Sequence, residues 1–557
     1  MSAAYDLDWQ KLSGERAVKA ECLPFSRIPH STHLFLDYLS GLPQVSQFYP
    51  RSTHFSQWFK EESQHLRYDA RRRERVAGVL ERQNRGWGAS AKTLENIARL
   101  RSGAAAMVTG QQVGLFGGPV FAIYKALSAV KLAAEAQAGG VDCVPVFWLA
   151  TTDHDLAEVN HVSLPGAGGM LTRLETSSHG ANEAPVSDVL LGQEILPVVA
   201  HAAELLGDSE ATLWIREAYR PGETLGSAFA KLFAKLFAEW GVVLLDAADA
   251  ELHQVAAPVY RTAIERAAEL DEALLAQGKE IERSGYHQQV KVTASSTLLF
   301  MLQEGERTPI HRRANGLPGE ETFVVGSQTF SREELLASIE HTPQQFSANV
   351  LLRPVMQDYL LPTLAYVGGP AEVAYFAQLG VVYAKLAGRV TPVLPRFSAT
   401  LVEGKMDRLL GKYHLGLTDL FQGAEQLRAK IGSETLPQTL QQAFVSADDE
   451  LEKSLHQVRQ ELGKLDPTLV EAGTRAASKM KYQLGKLRSR AARAEVGRNE
   501  LIARHAEELT AALYPHKALQ EREIGGIYFA SRYGSELMHT LYEAMQTDCY
   551  DHQIIKL

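Results

Sequence analysis

The sequence predicts an α/β fold: a doubly wound parallel sheet carrying two insertions, with an α-helical coiled-coil hairpin appended. Three observations predict it. Between residues 104 and 395, short apolar runs alternate with segments of helical periodicity, as strand–helix–strand units require. Two of those runs end in glycine turns placed before helices, GQQVGLFGGP at 110–119 and GGP at 368–370. Past about residue 445, apolar residues step by four and three, the spacing of paired helices.

In chain order, the run 104–108 (AAAMV) is short and apolar and feeds the first glycine turn, so it is a strand. Pro119 suits the first turn of a helix, which Ile123, Leu127, Val130 and Leu132 continue until Gly139 and Gly140 stop it. The run 144–150 is too continuous for a half-exposed strand and reads as central, covered on both faces; its end meets TTDHD. Residues 242–245 before Asp246, and 363–367 before Gly368 and Gly369, repeat the pattern, with a helix from about Ala371. Two stretches, 161–235 and 285–350, fit the alternation poorly and are rich in Gly, Pro, Ser and Thr, so they read as insertions roofing the sheet's carboxyl edge. Leu451, Leu455, Val458, Leu462 and Leu465 form one coiled-coil arm, Asp466 and Pro467 the turn, and Ala477, Met480, Leu484, Leu487, Ala491 and Ala494 the other. The expected division is a core over 1–440, a hairpin over 441–512, and a segment over 513–557 that returns to the core.

A chain of 557 residues exceeds one simple core, and its net charge of −9 gives no general attraction to nucleic acid or anionic lipid. Cys22, Cys143 and Cys549 are far apart in sequence and form no C-x-x-C pair, which predicts buried hydrophobes in a reducing compartment. The opening MSAAYDLDWQKLSGER lacks a signal-peptide pattern, and no apolar run is long enough to span a bilayer, so the expected location is cytoplasmic.

Three clusters carry candidate chemistry. In the first, Thr109 leads into a turn whose Gly110, Gly114, Gly117 and Gly118 let backbone amides approach an anion, while Gln111 and Gln112 offer side-chain amides. The spacing is neither a P-loop nor a dinucleotide fingerprint, so anion binding and a merely tight turn both stand. In the second, Asp153, His154 and Asp155, with Glu158 and His161, follow a strand end; acid/base catalysis, a metal site, substrate binding and helix capping are the alternatives. The third runs from Arg353 to Asp358, then Gly368, Gly369, Glu372, Tyr375 and Gln378, with Arg396 beyond. Glu372 is equally an ordinary first-turn acid facing the helix dipole.

Four stretches, VTGQQVGLFGGPVFAIYKALSAVKLA, FWLATTDHDLAEVNHV, LLRPVMQDYLLPTLAYVGGPAEVAYFAQL and VLPRFSATLVE, closely resemble the BshC family of bacillithiol-synthesis cysteine ligases, over nearly the whole chain. The resemblance implies a Rossmann-like core of the class I aminoacyl-tRNA synthetase type and homodimerisation through the coiled coil. It implies joining the carboxyl of cysteine to the amine of glucosaminyl-malate, with ATP as activator, ADP bound in some members, Mg2+ at most accompanying the nucleotide, and no structural metal. Carried over by motif, His154, Asp153, Asp155 and Arg396 are the catalytic candidates, Arg396 and the loop amides stabilising negative charge and His154 or a neighbouring carboxylate taking the amine's proton. Thr109 to Gly118, His161, Gly368, Gly369, Glu372 and Tyr375 are the binding candidates. No HIGH-type signature or KMSKS-like loop occupies the matching places, so the adenylate and acyl-phosphate routes both stay open.

Two other readings compete. One is a non-catalytic, nucleotide-binding coiled-coil dimer or sensor. The other is an RNA-binding synthetase relative that uses the seven basic residues from Arg475 to Arg493, a stretch without an acidic residue. That stripe is equally a charge partner for the acidic arm, or, through Lys486 and Arg488, a second phosphate site.

Overall fold

The computed structural model describes residues 20–166, 169–177, 184–314, 321–498, 500–547 and 549–557; the N-terminal MSAAYDLDWQKLSGER lies outside them. The chain forms two compact units. The first takes in residues up to Leu164, Thr172–Thr400 and Glu521–Ile555; the second comprises Pro165–Leu171, Leu401–Gln520 and Lys556–Leu557.

The first unit is built on a five-stranded parallel sheet. Its elements are β1 (Ala105–Gln111), α1 (Phe121–Ala138), β2 (Cys143–Leu149), α2 (Leu225–Leu236), β3 (Val243–Asp246), α3 (Arg353–Leu360), β4 (Thr363–Gly368), α4 (Pro370–Leu386) and β5 (Val393–Pro395), with strand order β5-β4-β1-β2-β3. Every residue of β2 and β4 is buried, which explains why those strands read as unbroken apolar runs. Because β2 and β3 lie on one side of β1 and β4 and β5 on the other, the winding reverses at the β1–β4 junction. That is where such sheets open a crevice at their carboxyl ends. The register sets Val367 beside Thr109, Gly110 beside Trp148 and Gly368 beside Pro395, so the loops leaving β1, β2, β4 and β5 surround one place.

Helix α1 begins at Phe121 rather than Pro119, because Pro119 bridges to Gly525 and the Val120 amide donates to the Ile524 carbonyl at 2.9 Å. Pro370 instead takes the first turn of α4, where its missing N–H costs nothing. Phe55, Trp58 and Phe59 pack with Ala129, Leu132 and Ala133 against Met107 and Val367, closing one face of the sheet. Within the stretch 285–350 lies a second, antiparallel sheet of five strands running from Ser296 to Ala348. Among the described residues, the stretch 161–235 contains the strands His161–Pro165 and Leu171–Glu175 and the α-helices Ile195–Leu206, Glu210–Ala218 and α2.

In the second unit, α5 (Ala424–Glu434), α6 (Gln438–Leu465), α7 (Leu469–Arg498) and α8 (Glu500–Leu513) pack together. Lys481 of α7 meets Glu452 of α6 at 2.5 Å, an opposite-charge pair across the hairpin, and Arg459 of α6 joins the same carboxylate at 2.9 Å. Residues 401–440 belong to this unit and not to the core, since α5 packs along α7. The expectation for the cysteines fails at two of three: Cys143 is buried, but Cys22 is exposed and Cys549 half-buried.

Candidate functional site

A cleft of about 520 Å3 opens at the β1–β4 junction. Its walls come from Gly110, Gln111 and Gln112 at the end of β1, Trp148 and Ala150 at the end of β2, Glu158, Phe121 and Lys125 of α1, Arg353 of α3, Gly369, Glu372 and Tyr375 at the start of α4, Arg396 and Arg522. Parts of all three sequence clusters therefore line one void.

Lys125, which the sequence reading passed over, is the buried centre of this wall. Its ammonium has three protons and three acceptors: the Gly110 carbonyl at 2.7 Å, the Gln111 Oε1 at 2.9 Å and the Glu372 Oε2 at 2.5 Å. It thereby ties the end of β1 to the start of α4, across the junction where the cleft opens. Glu372 also accepts the Gly369 amide at 2.7 Å and the Tyr366 hydroxyl at 2.5 Å. Burial opposes its charge, but Lys125 and these donors outweigh that and hold the carboxyl below its usual range. A side chain at Gly368 would place a Cβ 2.8 Å from that of Glu372, so glycine there lets the carboxylate fold back. Beside it, Arg353 Nη2 donates to the Tyr375 hydroxyl at 2.9 Å and Nη1 to Gln357 Oε1 at 3.1 Å.

The glycine turn divides in two. Gly110 to Gln112 face the cleft, whereas Gly114, Gly117 and Gly118 form a tight buried turn. Their amides are consumed locally: Gly114 donates to Gln112, Gly117 to Gly114 and Gly118 to Leu115, at 3.0–3.1 Å. A Cβ at Gly114 would lie 2.9 Å from Gly118 Cα, and Gly117 and Gly118 adopt φ of 88° and 67°, so glycine is required here by packing and backbone geometry. These three amides are not the anion donors expected of them. Thr109 is buried, its hydroxyl donating to the Val367 carbonyl at 2.8 Å, and stitches β1 to β4.

Arg396 also departs from the role expected of it. Its guanidinium is bound by Glu521 through Nη2 at 2.5 Å and Nη1 at 3.1 Å, and both side chains are almost fully buried. Glu521 in turn accepts the Ser398 hydroxyl, and His552 bonds Ser398 and Thr400 through its two ring nitrogens at 2.7 and 2.8 Å. This is a neutralised structural network that anchors the C-terminal strand His552–Lys556, with little charge left for a substrate.

Asp153 accepts Gln112 Nε2 at 2.9 Å and its own turn's His154 amide at 2.9 Å. The His154 imidazole does not line the cleft. Its Nδ1 lies 3.3 Å from Arg307 Nη1, a nitrogen of the antiparallel sheet that only donates, so a hydrogen bond there uses the lone pair a general base needs. Asp155 caps the short helix Leu156–Val159, accepting the Glu158 amide at 3.3 Å. His161 starts its strand beside Asn160. Lys486 and Arg488 lie on exposed α7 in the second unit, the Lys486 ammonium 4.8 Å from the Tyr482 ring centre.

Two charged side chains on the cleft make no hydrogen bond or close ion pair among the described residues: the Arg522 guanidinium, which lies in the field of Glu521, Glu372 and Glu523, and the Glu158 carboxylate. A lone lysine in the apolar run VFAIYKALSAV could have marked Lys125, whereas nothing near Arg522 in sequence distinguishes it.

The family model for bacillithiol biosynthesis BshC, N-terminal Rossmann-like domain, matches residues 18–397, and that for the BshC C-terminal coiled-coil domain matches 399–557. The chain belongs to the BshC family. Among relatives, a Koribacter versatilis protein named "Putative cysteine ligase BshC" is 49% identical over 96% of this chain and 99% of its own length. Proteins of the same name from Solibacter usitatus and Geobacillus thermodenitrificans are 35% and 30% identical, over 96% and 92% of this chain and 99% and 96% of their own. The expected Rossmann-like fold with a helical coiled-coil region is thus present, and a ligase name attaches to the family. The BshC C-terminal match also spans Glu521, Arg522 and His552, which sit in the first compact unit, so this part of the chain helps build the cleft. No described helix is long and apolar enough to cross a membrane, and no described group of three or more His, Cys, Asp or Glu could hold a metal ion.

Proposed function

We propose that this cleft joins the carboxyl of cysteine to the amine of glucosaminyl-malate, in a nucleotide-dependent amide ligation within a cytoplasmic homodimer. Family membership supports the reaction class. The observation that carries the location is that two charged side chains without a hydrogen bond or close ion pair, Arg522 and Glu158, line one cleft at the carboxyl edge of the sheet.

A carboxylate is a poor electrophile, so the cysteine carboxyl needs conversion to an adenylate or an acyl phosphate, which ATP supplies. Arg522 and Arg353, both on the cleft wall, offer positive charge to the malate carboxylates or to phosphate oxygens. Glu158 takes the proton that the attacking amine must lose. Gln111 and Gln112 are held in place by Lys125 and Asp153, leaving their remaining amide groups to orient polar substrate atoms. Mg2+, where required, travels with the nucleotide.

The test incubates purified protein with cysteine, glucosaminyl-malate and ATP and follows the mixture by mass spectrometry. The coupled thiol should form in step with AMP or ADP, which also decides the activation route. Nucleotide binding without coupled thiol would replace the ligase with a sensor.

A further inference from the structure

Cys22 and Cys549 stand 527 positions apart in sequence, yet their sulfurs are 3.4 Å apart. Cys22 lies on the strand Ala20–Leu23, which pairs antiparallel with His552–Lys556 and sets Cys22 opposite Gln553. The approach is fixed from both sides: the Phe25 amide donates to Asp551 at 3.3 Å, and the Tyr550 hydroxyl to the Thr53 carbonyl at 2.7 Å. Cys22 is exposed, so a small reagent reaches the pair from solvent, whereas Cys143 is buried in β2.

We propose that Cys22 and Cys549 are a modification site: a dithiol that low-molecular-weight disulfides oxidise reversibly to an intramolecular disulfide. One protein thiolate attacks the reagent disulfide, releasing a small thiolate and leaving a mixed disulfide. The second protein thiol then attacks the protein sulfur of that mixed disulfide and expels the second small thiolate. The two protein thiol protons end on the two released thiols; the protein loses two electrons and the reagent gains them. Closing from 3.4 Å to bonding distance needs a shift of only one to two ångströms in a half-exposed segment. The product staples the N-terminal strand to the segment that leads into the strand delivering His552 to the Arg396–Glu521 network, so it ties the cleft's supporting shell to the redox state of the small-thiol pool. Partial burial of its sulfur, the neighbouring thiol and Asp551 push the Cys22 thiol up to about 11 although the residue is exposed overall, so exchange at this site accelerates as pH rises toward that value.

The test treats the full-length protein with bis(2-hydroxyethyl) disulfide at alkaline pH, then denatures and alkylates it. Expected is the loss of two alkylatable thiols, with Cys143 alone remaining, and a cross-linked peptide pair containing Cys22 and Cys549 that dithiothreitol releases. The C22S variant should instead retain an unresolved mixed disulfide on Cys549. Separate stable adducts on both cysteines of the native protein, chain-to-chain linkage, or three thiols still alkylatable after prolonged exposure would each overturn the proposal. None of these outcomes depends on the ligase reading.

Discussion

Replacing Lys125 by Met removes the clasp between β1 and α4. The ammonium serves the Gly110 carbonyl, Gln111 and Glu372, and its side chain is only 4% exposed. Breaking a buried ion pair by removing one partner costs about 3–5 kcal/mol, chiefly from the stranded charge. Glu372 keeps the Tyr366 hydroxyl and the Gly369 amide, which places K125M near the lower end, about 3 kcal/mol. E372Q strands the opposite charge and should cost a similar amount. The double variant strands neither, so its cost should fall short of the sum by about 2 kcal/mol. Urea unfolding of wild type, both single variants and the double variant at neutral pH, followed by tryptophan fluorescence, closes the cycle. A K125M cost below about 1 kcal/mol, or strict additivity, would refute the clasp.

Burial drives His552 down to about 4 from 6.5, with Glu521 opposing and Arg396 reinforcing the shift, and burial drives His253 down to about 4 as well. Because the unfolded chain binds these protons near 6.5 and the folded chain only near 4, stability is complete above 6.5 and falls as pH drops toward 4, by about 3 kcal/mol per histidine. H552Q should remove roughly half of that slope in denaturation midpoints; an unchanged slope contradicts the assignment. R522Q should raise KM for the anionic substrate by about tenfold to a hundredfold, the worth of one charged hydrogen bond, with an unchanged melting temperature; an unaltered KM removes Arg522 from the site. E158Q should lower turnover by about a hundredfold or more with little change in KM. In contrast to the role expected of His154 from sequence, H154A should stay within about tenfold of wild type, and the reverse ranking would return the proton to the imidazole.

The sheet was legible because β2 and β4 are buried on both faces, which leaves runs such as CVPVFWL without polar interruption. The coiled coil was legible from its heptad-like steps, but its root was not, since residues 401–440 pack through ordinary amphipathic helices that resemble core helices in sequence. The glycines marked the right neighbourhood with two different meanings. Gly110 and Gly369 line the cleft, while Gly114, Gly117 and Gly118 answer to a tight turn, a distinction set by amide directions that spacing does not encode. Arg396 resembled a catalytic cation only while its partner Glu521, 125 positions away, was unseen. Arg522 and Glu158 gained interest for the opposite reason: both line a shared cleft, and neither is locked there by a hydrogen bond or close ion pair.

Hydrogen exchange read by mass spectrometry, with and without glucosaminyl-malate, addresses the location of the site most directly. Slowed exchange should concentrate in peptides covering 107–125, 146–158, 353–376 and 518–526. Protection confined to 475–493, or spread evenly over the chain, would mean that the cleft at the β1–β4 junction is not where the substrate binds.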